Sequence, residues 1–424
     1  MSLRKAKLPE VVFFQEGPGV RKFQFRQSGI KLLNGGNIND NKIDLSTTSI
    51  FLDEKEVNER YKHFLVDAGD LLIASSGVVV DNFHKKIAFA DKEHLPLCMN
   101  TSTIRFKSLD ERVLSINYFK FFLQSKKFTS QLRKLITGSA QLNFGPSHLK
   151  QIDIQFPPLD DQIHIANILS KAESLIAQRK ESLRLLDEFL KSTFLEMFGD
   201  PVRNEKGWEK VLLGSHVDVL TGYPFKSKDY LEDDQGIKLC GGLIIQPDRI
   251  AWEQANQWSR KKTNGLERYF LKEHDIVIAM DRPWISTGFK IRMIMKSELP
   301  TLLVQRTARL RSEDFNHHYL FFLINHRAFE IHSKPTETTV PHISSSDIKS
   351  FKVPMPPLRL QTQFAHIVEK TEALKVHYQT SLQELENLYG SLSQSAFKGE
   401  LKVKREKLSM AGEGKVAYNR INKI

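Results

Sequence analysis

The sequence contains few cysteines and no long apolar run, and both absences exclude classes of protein. Only Cys98 and Cys240 occur among the 424 residues, in different halves, and neither belongs to a CxxC pair. A disulfide framework or a zinc site is therefore not expected, and a reducing compartment is the expected location. No apolar run approaches the roughly 18 residues of a membrane helix, and residues 1–10 are basic and polar. The sequence thus predicts neither a membrane span nor a signal peptide.

Motifs of nucleotide-binding and catalytic sites are missing as well. No GxGxxG follows a strand pattern, and no GxxxxGK[ST] occurs anywhere in the chain. The 14 histidines are scattered without the spacing of metal ligands. Asp200, Glu205 and Lys206 resemble a nuclease triad only loosely, because their spacing is wrong and they lie in a linker. We therefore expect a chain that is not an enzyme by itself and that binds neither a cofactor nor a metal.

Positive charge is in excess. Lysine and arginine number 62 against 50 aspartates and glutamates, which gives a formal net charge of +12. Such an excess favours a polyanionic partner such as nucleic acid and says nothing about the fold. A basic protein without a nucleic-acid role stays open on charge alone.

The chain contains an internal repeat. When residues 156–198 are laid over residues 355–397, 14 of 43 positions are identical, whereas average composition gives roughly 3. Earlier in each half, "GIKLLNGG" matches "GIKLCGG", "GDLLIA" matches "HDIVIA", and "TIRFKS" matches "TARLRS". The pattern predicts two copies of one strand-rich domain, each followed by one helix.

Periodicity supports this organisation. Short β-branched runs such as "DLLIASSGVVV" and "DIVIAM" are bounded by Gly, Asp and Pro and are typical of strands. After each Pro-Pro, apolar residues recur every three or four positions for about 40 residues, which is roughly 60 Å of helix. The stripe is narrow and heptad-like, so two such helices can pair, most simply antiparallel. "FGDP" ends the first helix, with Gly199 as the expected C-cap, and "KGE" ends the second less sharply.

The predicted fold class is accordingly α+β, with two pseudo-repeated, mixed, strand-rich domains and two long helices that form an antiparallel coiled coil. The predicted boundaries are residues 1–157 for the first domain, 158–199 for the central helix, 200–356 for the second domain, 357–400 for the C-terminal helix and 401–424 for a basic tail.

The repeated Pro-Pro has two readings. Amino-methyltransferases use an Asp/Asn/Ser-Pro-Pro-aromatic loop around a flipped base, but "FPPL" and "MPPL" have neither the polar first residue nor the aromatic last one. A structural role fits better, because proline is well tolerated at the start of a helix and disfavours helix before it. We assign the helix starts, with possible subunit docking, to Pro157, Pro158, Gln162, Pro356, Pro357 and Gln361.

Basic, aromatic and amide side chains cluster in predicted loops of both copies. Arginine can bind guanine edges, Asn or Gln can bind adenine, and lysine can bind phosphate. Each of these residues could equally be an ordinary solvated loop residue, and Trp284 could be a core aromatic. The candidate DNA-binding residues are Arg21, Lys22, Arg26, Arg133, Lys134, Ser139, Gln141, Asn143, Tyr223, Lys226, Lys228, Arg282, Trp284, Thr287 and Lys290.

The order of these features resembles the specificity subunit of type I restriction–modification systems over essentially the whole chain. The most specific parts are the doubled Pro-Pro-Leu-x-x-Gln, with Gln162 and Gln361, and the segment from Phe198-Gly199-Asp200-Pro201 to Trp208. The recognition domains match in outline only, and the first copy begins with "LRKAKLPEVV" instead of a Trp-containing segment.

The resemblance implies that each domain reads one half of a gapped site in double-stranded DNA, and that the helix pair sets the spacer. It further implies docking of two methyltransferase subunits, through which motor-nuclease subunits join, in a prokaryotic cytoplasm and without a membrane. S-adenosylmethionine, ATP and Mg²⁺ would belong to those partners. Two alternatives stay open at this point: a fragment of a single-chain restriction–modification enzyme, and a coiled-coil scaffold that binds protein.

Overall fold

The computed structural model describes residues 3–136, 141–233, 235–333 and 341–401, and of residues 80, 81, 141 and 142 the backbone alone. The chain divides into two compact units. The first unit contains the residues up to Gln178 together with those from Leu382 onward, and the second contains Arg179–Ser381. Each long helix therefore contributes one end to each unit. The tail predicted for residues 401–424 lies outside the described residues, except for Leu401.

The first unit is built from short strands and helices that end in one long helix. Its strands are β1 Arg4–Lys7, β2 Val12–Glu16, β3 Ile30–Leu33, β4 Ile38–Asn39, β5 Lys42–Ile43, β6 Phe51–Leu52, β7 Leu71–Ala74, β8 Val78–Val79, β9 Ile87–Phe89, β10 Leu97–Met99, β11 Thr103–Ser108, β12 Gln141–Leu142 and β13 Asp153–Phe156. Its helices are α1 Leu8–Val11, α2 Glu54–Glu56, α3 Ile116–Gln124, α4 Lys126–Leu135, α5 Pro146–Leu149 and the first half of α6 Leu159–Phe198.

The second unit repeats this series. Its strands are β14 Lys210–Leu212, β15 Asp218–Thr221, β16 Ile237–Cys240, β17 Gln257–Trp258, β18 Ile276–Ala279, β19 Trp284–Ile285, β20 Gly288–Phe289, β21 Ile291–Met293, β22 Thr301–Leu303, β23 Thr307–Arg311 and β24 Lys352–Pro354. Its helices are α7 His317–Ile324, α8 Arg327–Ser333, α9 Ser345–Lys349 and the first half of α10 Leu358–Lys398.

The four-stranded and three-stranded sheets have the same topology in the two units. An antiparallel four-stranded sheet has the order β2-β11-β7-β9 in the first unit and β15-β23-β18-β21 in the second. A three-stranded sheet contains one parallel pair, β10 with β3 and β22 with β16. The strand that opens each domain pairs with the strand that closes it, β1 with β13 and β14 with β24. The predicted fold class, with two repeated strand-rich domains and two long helices, is confirmed.

The largest hydrophobic core cluster of each unit includes the end of the helix that begins in the other copy. Phe397 of α10 packs into the first core, with its ring 5.3 Å from Tyr118. The equivalent Phe198 of α6 packs into the second core, with its ring 4.6 Å from Tyr319. Burial of a phenylalanine contributes about 1.5–3 kcal/mol, so each helix end stabilises the unit in which it terminates.

Within the second unit, the end of α6 and the start of α10 run antiparallel. Asp187 bonds Lys375 at 2.7 Å, and Phe194 meets Phe364 further along at 5.6 Å. In the first unit, the hydroxyl of Tyr389 near the end of α10 lies 3.3 Å from Glu173 of α6. The pairing predicted from the heptad pattern is thus present inside each unit.

Glycines end both long helices in the same way. Gly199 and Gly399 each have a φ of +78°, the left-handed conformation that a C′ glycine adopts without strain. The end of the first helix is stabilised further by Trp208, whose indole N–H donates to the carbonyl of Phe198 at 2.9 Å. At the second, Leu3 occupies the space beside the glycine. The second helix therefore ends as sharply as the first, which the sequence pattern did not indicate.

A buried aspartate holds the four-stranded sheet of each unit. Asp70 pairs with Arg105 at 3.3 Å and with Lys107 at 3.1 Å. The equivalent Asp275 accepts two hydrogen bonds of 2.7 Å from Arg311. Both carboxylates are almost fully buried and paired within their own unit, so we assign these charges to the scaffold.

Candidate nucleic-acid interface

Loops gather at one edge of the four-stranded sheet in each unit. There β2 ends beside the start of β11, and the Gly17 N–H donates to the carbonyl of Thr103 at 3.1 Å. The second unit has the same contact, from Gly222 to Thr307, also at 3.1 Å. Strands β7 and β18 end at this edge as well, because they run antiparallel to β11 and β23. We call it the loop edge of each unit.

The first loop region of the first unit, residues 17–28, leaves the loop edge and carries Arg21, Lys22 and Arg26, all exposed. A single turn of 3-10 helix at Lys22–Gln24 shapes it. The buried Gln24 fixes this turn from inside, because its side chain accepts the Arg21 N–H and donates to the Tyr61 hydroxyl at 2.9 Å. The three predicted cations are therefore presented to solvent by an ordered turn.

The equivalent region of the second unit, residues 222–231, carries Tyr223, Lys226 and Lys228. Both lysines are exposed. The Tyr223 ring makes edge contacts with Phe225 at 4.9 Å and with Tyr269 at 5.4 Å. Tyr223 is thus supported on one side by aromatic packing and remains partly open to solvent.

The second loop region of the first unit joins the segment after β7 to the segment before α5. The amide oxygen of Asn143 accepts the Gly77 N–H and the Ser76 hydroxyl, each at 2.9 Å. Arg133 and Lys134 are exposed in the last turn of α4. Ser139 lies outside the described residues, and Gln141 is placed by its backbone alone, in β12 paired with β8.

The second loop region of the second unit is equivalent and carries the remaining candidates. The Arg282 side chain is exposed, and the backbone N–H of Arg282 donates to the carbonyl of Pro341 at 2.7 Å. Thr287 lies in the exposed turn of the β19–β20 hairpin. Trp284 is half-buried and stacks on Phe289 with ring centroids 4.6 Å apart.

Lys290 differs from the other candidate cations because it is only 7% exposed. Burial lowers the pKa of its amine, with Asp281 opposing the decrease and Arg282 adding to it. That Lys290 contacts a phosphate stays a prediction. The phosphate would have to approach a side chain that is largely covered.

The sequence did not single out the polar network at the loop edge of the second unit. His342 bonds Asp281 at 2.7 Å, and Asp281 also pairs with the exposed Arg306 at 3.0 Å. His342 is equivalent to Asn143. The residue that follows each of them donates its backbone N–H to the carbonyl just past the end of β18 or β7, from Ile343 to Met280 and from Phe144 to Ser75. Because these partners lie far apart in the chain, no local sequence pattern predicts that they interact.

Of the residues assigned to the helix starts, the two glutamines are fully buried. The Gln162 amide accepts the Ser115 N–H and donates to the carbonyls of Val113 and Pro157, all at 2.8–2.9 Å. Gln361 accepts the Asn316 N–H at 2.9 Å and donates to the carbonyl of Pro356 at 2.8 Å. Each glutamine connects the start of a long helix to the N-cap residue of α3 or α7 in its own unit.

The prolines divide equally in the two copies. Pro157 and Pro356 are buried, whereas Pro158 and Pro357 are exposed. The second proline of each pair thus remains accessible to a partner, while the first contributes its carbonyl to the glutamine bond.

Within the described ranges, no group of three or more His, Cys, Asp or Glu side chains is arranged to hold a metal ion. The same part of the chain has no helix that is both long and apolar enough to cross a membrane.

Comparison with known proteins gives consistent matches. The family model described as "Type I restriction modification DNA specificity domain" matches residues 6–185 and 205–387. The MjaVIII specificity subunit of a type I restriction enzyme from Methanocaldococcus jannaschii is 25% identical over 309 residues, covering 69% of this chain and 72% of that protein. The EcoAI specificity subunit from Escherichia coli is 29% identical over 231 residues, covering 52% of this chain and 39% of that protein.

Solved structures share the fold. The S subunit of a type I restriction–modification system from M. genitalium superimposes with a TM-score of 0.56 at 16% identity, covering 94% of this chain and 96% of that one. A chain from a structural study of complex assembly in the type I R-M system gives a TM-score of 0.52 at 19% identity, covering 94% and 98%.

Proposed function

Because this chain belongs to the family of type I restriction–modification DNA specificity proteins, we propose that it is the subunit that recognises a bipartite, gapped DNA site. Each unit reads one half of that site through its loop edge. The observation that carries the proposal is the repetition of one scaffold with different side chains in equivalent loops. Asn143 is replaced by His342, and Gly77 by Arg282, while the backbone contacts around them are kept. Identical scaffolds with different loops suit two different half-sites.

The helix pair, α6 with α10, is proposed to set the spacing between the half-sites. Helices of 40 and 41 residues are each about 60 Å long at about 1.5 Å per residue. Half-sites read from one side of the duplex are spaced by about 34–36 Å or a multiple of it. A pair of helices of this length is long enough to span such a spacing.

We propose that exposed apolar side chains at equivalent positions of the helix pair bind the partner subunits. Leu175 and Leu374 occupy equivalent repeat positions and are 41% and 39% exposed, and the next such pair, Phe189 and Leu388, is 49% and 51% exposed. Exposed apolar side chains at matching positions are expected where two copies of one protein bind. We assign them to two methyltransferase subunits, through which motor-nuclease subunits join.

In this proposal the chain is not catalytic. The partner subunits supply the chemistry of adenine methylation and DNA cleavage, and they bind S-adenosylmethionine, ATP and Mg²⁺. The assembly works in the cytoplasm of a prokaryote.

The test is to purify the chain with its methyltransferase subunits and to map the methylated positions in genomic DNA. We expect a single motif of two short specific sequences separated by a fixed number of unspecified bases. A continuous motif, or methyl transfer by the chain alone, would contradict the proposal.

Salt dependence separates this function from that of a coiled-coil scaffold for proteins. If the loop-edge cations meet phosphates, log K for specific DNA falls linearly with log salt, by about 0.9 per phosphate contact. A protein scaffold would show no specific DNA binding at any salt concentration.

A further inference from the structure

Leu243 is the most exposed large hydrophobic residue of the described part of the chain, at 88%. It lies in a turn directly after β16, between two buried residues, Cys240 and Ile244. The Ile244 N–H closes the turn on the carbonyl of Gly241 at 3.1 Å, and the Gln246 side chain donates to the Leu243 carbonyl at 3.0 Å. The turn is therefore fixed on both sides, and it holds the leucine side chain in water.

This turn belongs to the loop edge of the second unit. A Cβ added to the neighbouring Gly242 would lie 3.4 Å from Ala279, the last residue of β18, and 3.5 Å from the carbonyl of Arg306. Arg306 and Arg282 are exposed at the same edge, where Asp281 pairs with Arg306. An apolar side chain beside exposed arginines matches a DNA groove, in which methyl groups lie between two rows of phosphates.

The equivalent turn of the first unit shows that the fold does not require this leucine. There Gly35 takes the place of Gly242 and faces Ala74 and Ser102, the counterparts of Ala279 and Arg306. The next residue, Gly36, occupies the position of Leu243, and a Cβ built on it would meet nothing within 4 Å. The turn is kept in both units, and the side chain at its tip differs.

We propose that Leu243 is a specificity-determining residue of the second unit, and that it makes an apolar contact with a thymine methyl group in the major groove of the second half-site. This inference rests on the proposed function and adds to it the chemical class of one contact. Thymine is the base that presents a methyl group there, and apolar side chains recognise it by burial of both groups. The first unit has no such contact at this turn.

The experiment compares the unmodified chain with L243A, each assembled with its methyltransferase subunits. The matched control is L109A. Leu109 is also an exposed leucine, at 56%, but it lies in the first unit and follows the end of β11 that is opposite the loop edge, where its backbone N–H donates to the carbonyl of Val11. Once the split site has been mapped, each thymine of the second half-site is replaced in turn by deoxyuridine, which removes only the methyl group. Binding is then measured at fixed salt.

For the unmodified complex and for L109A, we expect one deoxyuridine position to weaken binding about fourfold, which is the effect of burying one methyl group. For L243A, we expect thymine and deoxyuridine at that position to bind equally, with the first half-site and the melting temperature unchanged. Equal sensitivity of L243A and the unmodified complex would overturn the inference, as would a second half-site without thymine. Loss of methyltransferase assembly in L243A with unchanged base preference would overturn it too, since Leu243 would then be a protein contact. A failure to find any split site would instead refute the proposed function.

Discussion

Gln361 is expected to hold α10 on the second unit, and replacing it by leucine tests how this attachment works. The side chain is buried, and its amide bonds the Asn316 N–H and the Pro356 carbonyl. Leucine fills a similar volume and cannot make either bond. Gln361→Leu would therefore leave without a partner the partly buried Asn316 N–H, just before α7, and the buried Pro356 carbonyl of the Pro-Pro segment.

The expected cost follows from these two groups. A buried polar group left unsatisfied costs about 1–3 kcal/mol. The Pro356 carbonyl falls in this range, whereas the partly buried Asn316 N–H falls at its low end, so the substitution should lower the free energy of local opening by about 2–4 kcal/mol. Because 1.4 kcal/mol corresponds to a factor of ten in an equilibrium constant, amides of α7 should lose protection against hydrogen exchange by roughly 30- to 1,000-fold.

Hydrogen exchange followed by mass spectrometry on peptides covering residues 316–324 measures this directly. Gln363→Leu is the matched control, because Gln363 lies two residues further along the same helix and is exposed. We expect the control to change protection little. Equal losses in the two variants, or no loss in Gln361→Leu, would refute the assignment of Gln361 to the attachment of the helix.

Three further perturbations address the cores, the pH dependence and the DNA contacts. Phe198→Ala should destabilise the second unit and Phe397→Ala the first, each by about 3–5 kcal/mol, and exchange in α7 and α3 respectively reports which unit loosens. His317 stacks on His274 at 4.0 Å, and burial, with the neighbouring histidines, lowers its pKa to about 4. Below pH 6.5 the unfolded chain binds a proton that the folded chain does not, so the free energy of unfolding should fall by about 1 kcal/mol between pH 6.5 and 4, after allowance for partial exposure. Urea titrations should show a weaker dependence of stability on pH for His317→Gln, and an unchanged dependence would contradict this. Arg282→Ala should relax base preference in the second half-site alone if the side chain contacts a base, whereas a uniform loss of affinity across sequences would identify a phosphate contact.

Much of the fold could be predicted because its signals are local. Pro-Pro and glycine bound the long helices, which run from Leu159 to Phe198 and from Leu358 to Lys398. The matched blocks around "GDLLIA" and "TIRFKS" are β7 and β11 with their counterparts. Period and punctuation act over a few residues, so they can be read without knowledge of tertiary contacts.

The rest depends on contacts between distant residues. The pairing of β3 with β10 joins residues more than sixty positions apart, and Ala396 and Phe397 complete a core whose other buried members precede Ala172. The bond between Asp281 and His342 is of the same kind. Local propensity carries no information on such partners, which explains why the sequence pointed to loops rich in basic residues but not to the network that joins Asp281, His342 and Arg306.

The measurement that tests the central claim most directly is an exchange of one domain. Residues 10–155 are replaced by the corresponding domain of a family member with a different known target, and the methylated motif is mapped again. If each unit reads one half-site, one half of the motif changes to that of the donor, while the other half and the spacer stay the same. A change in both halves, or a motif that does not change at all, would contradict the account.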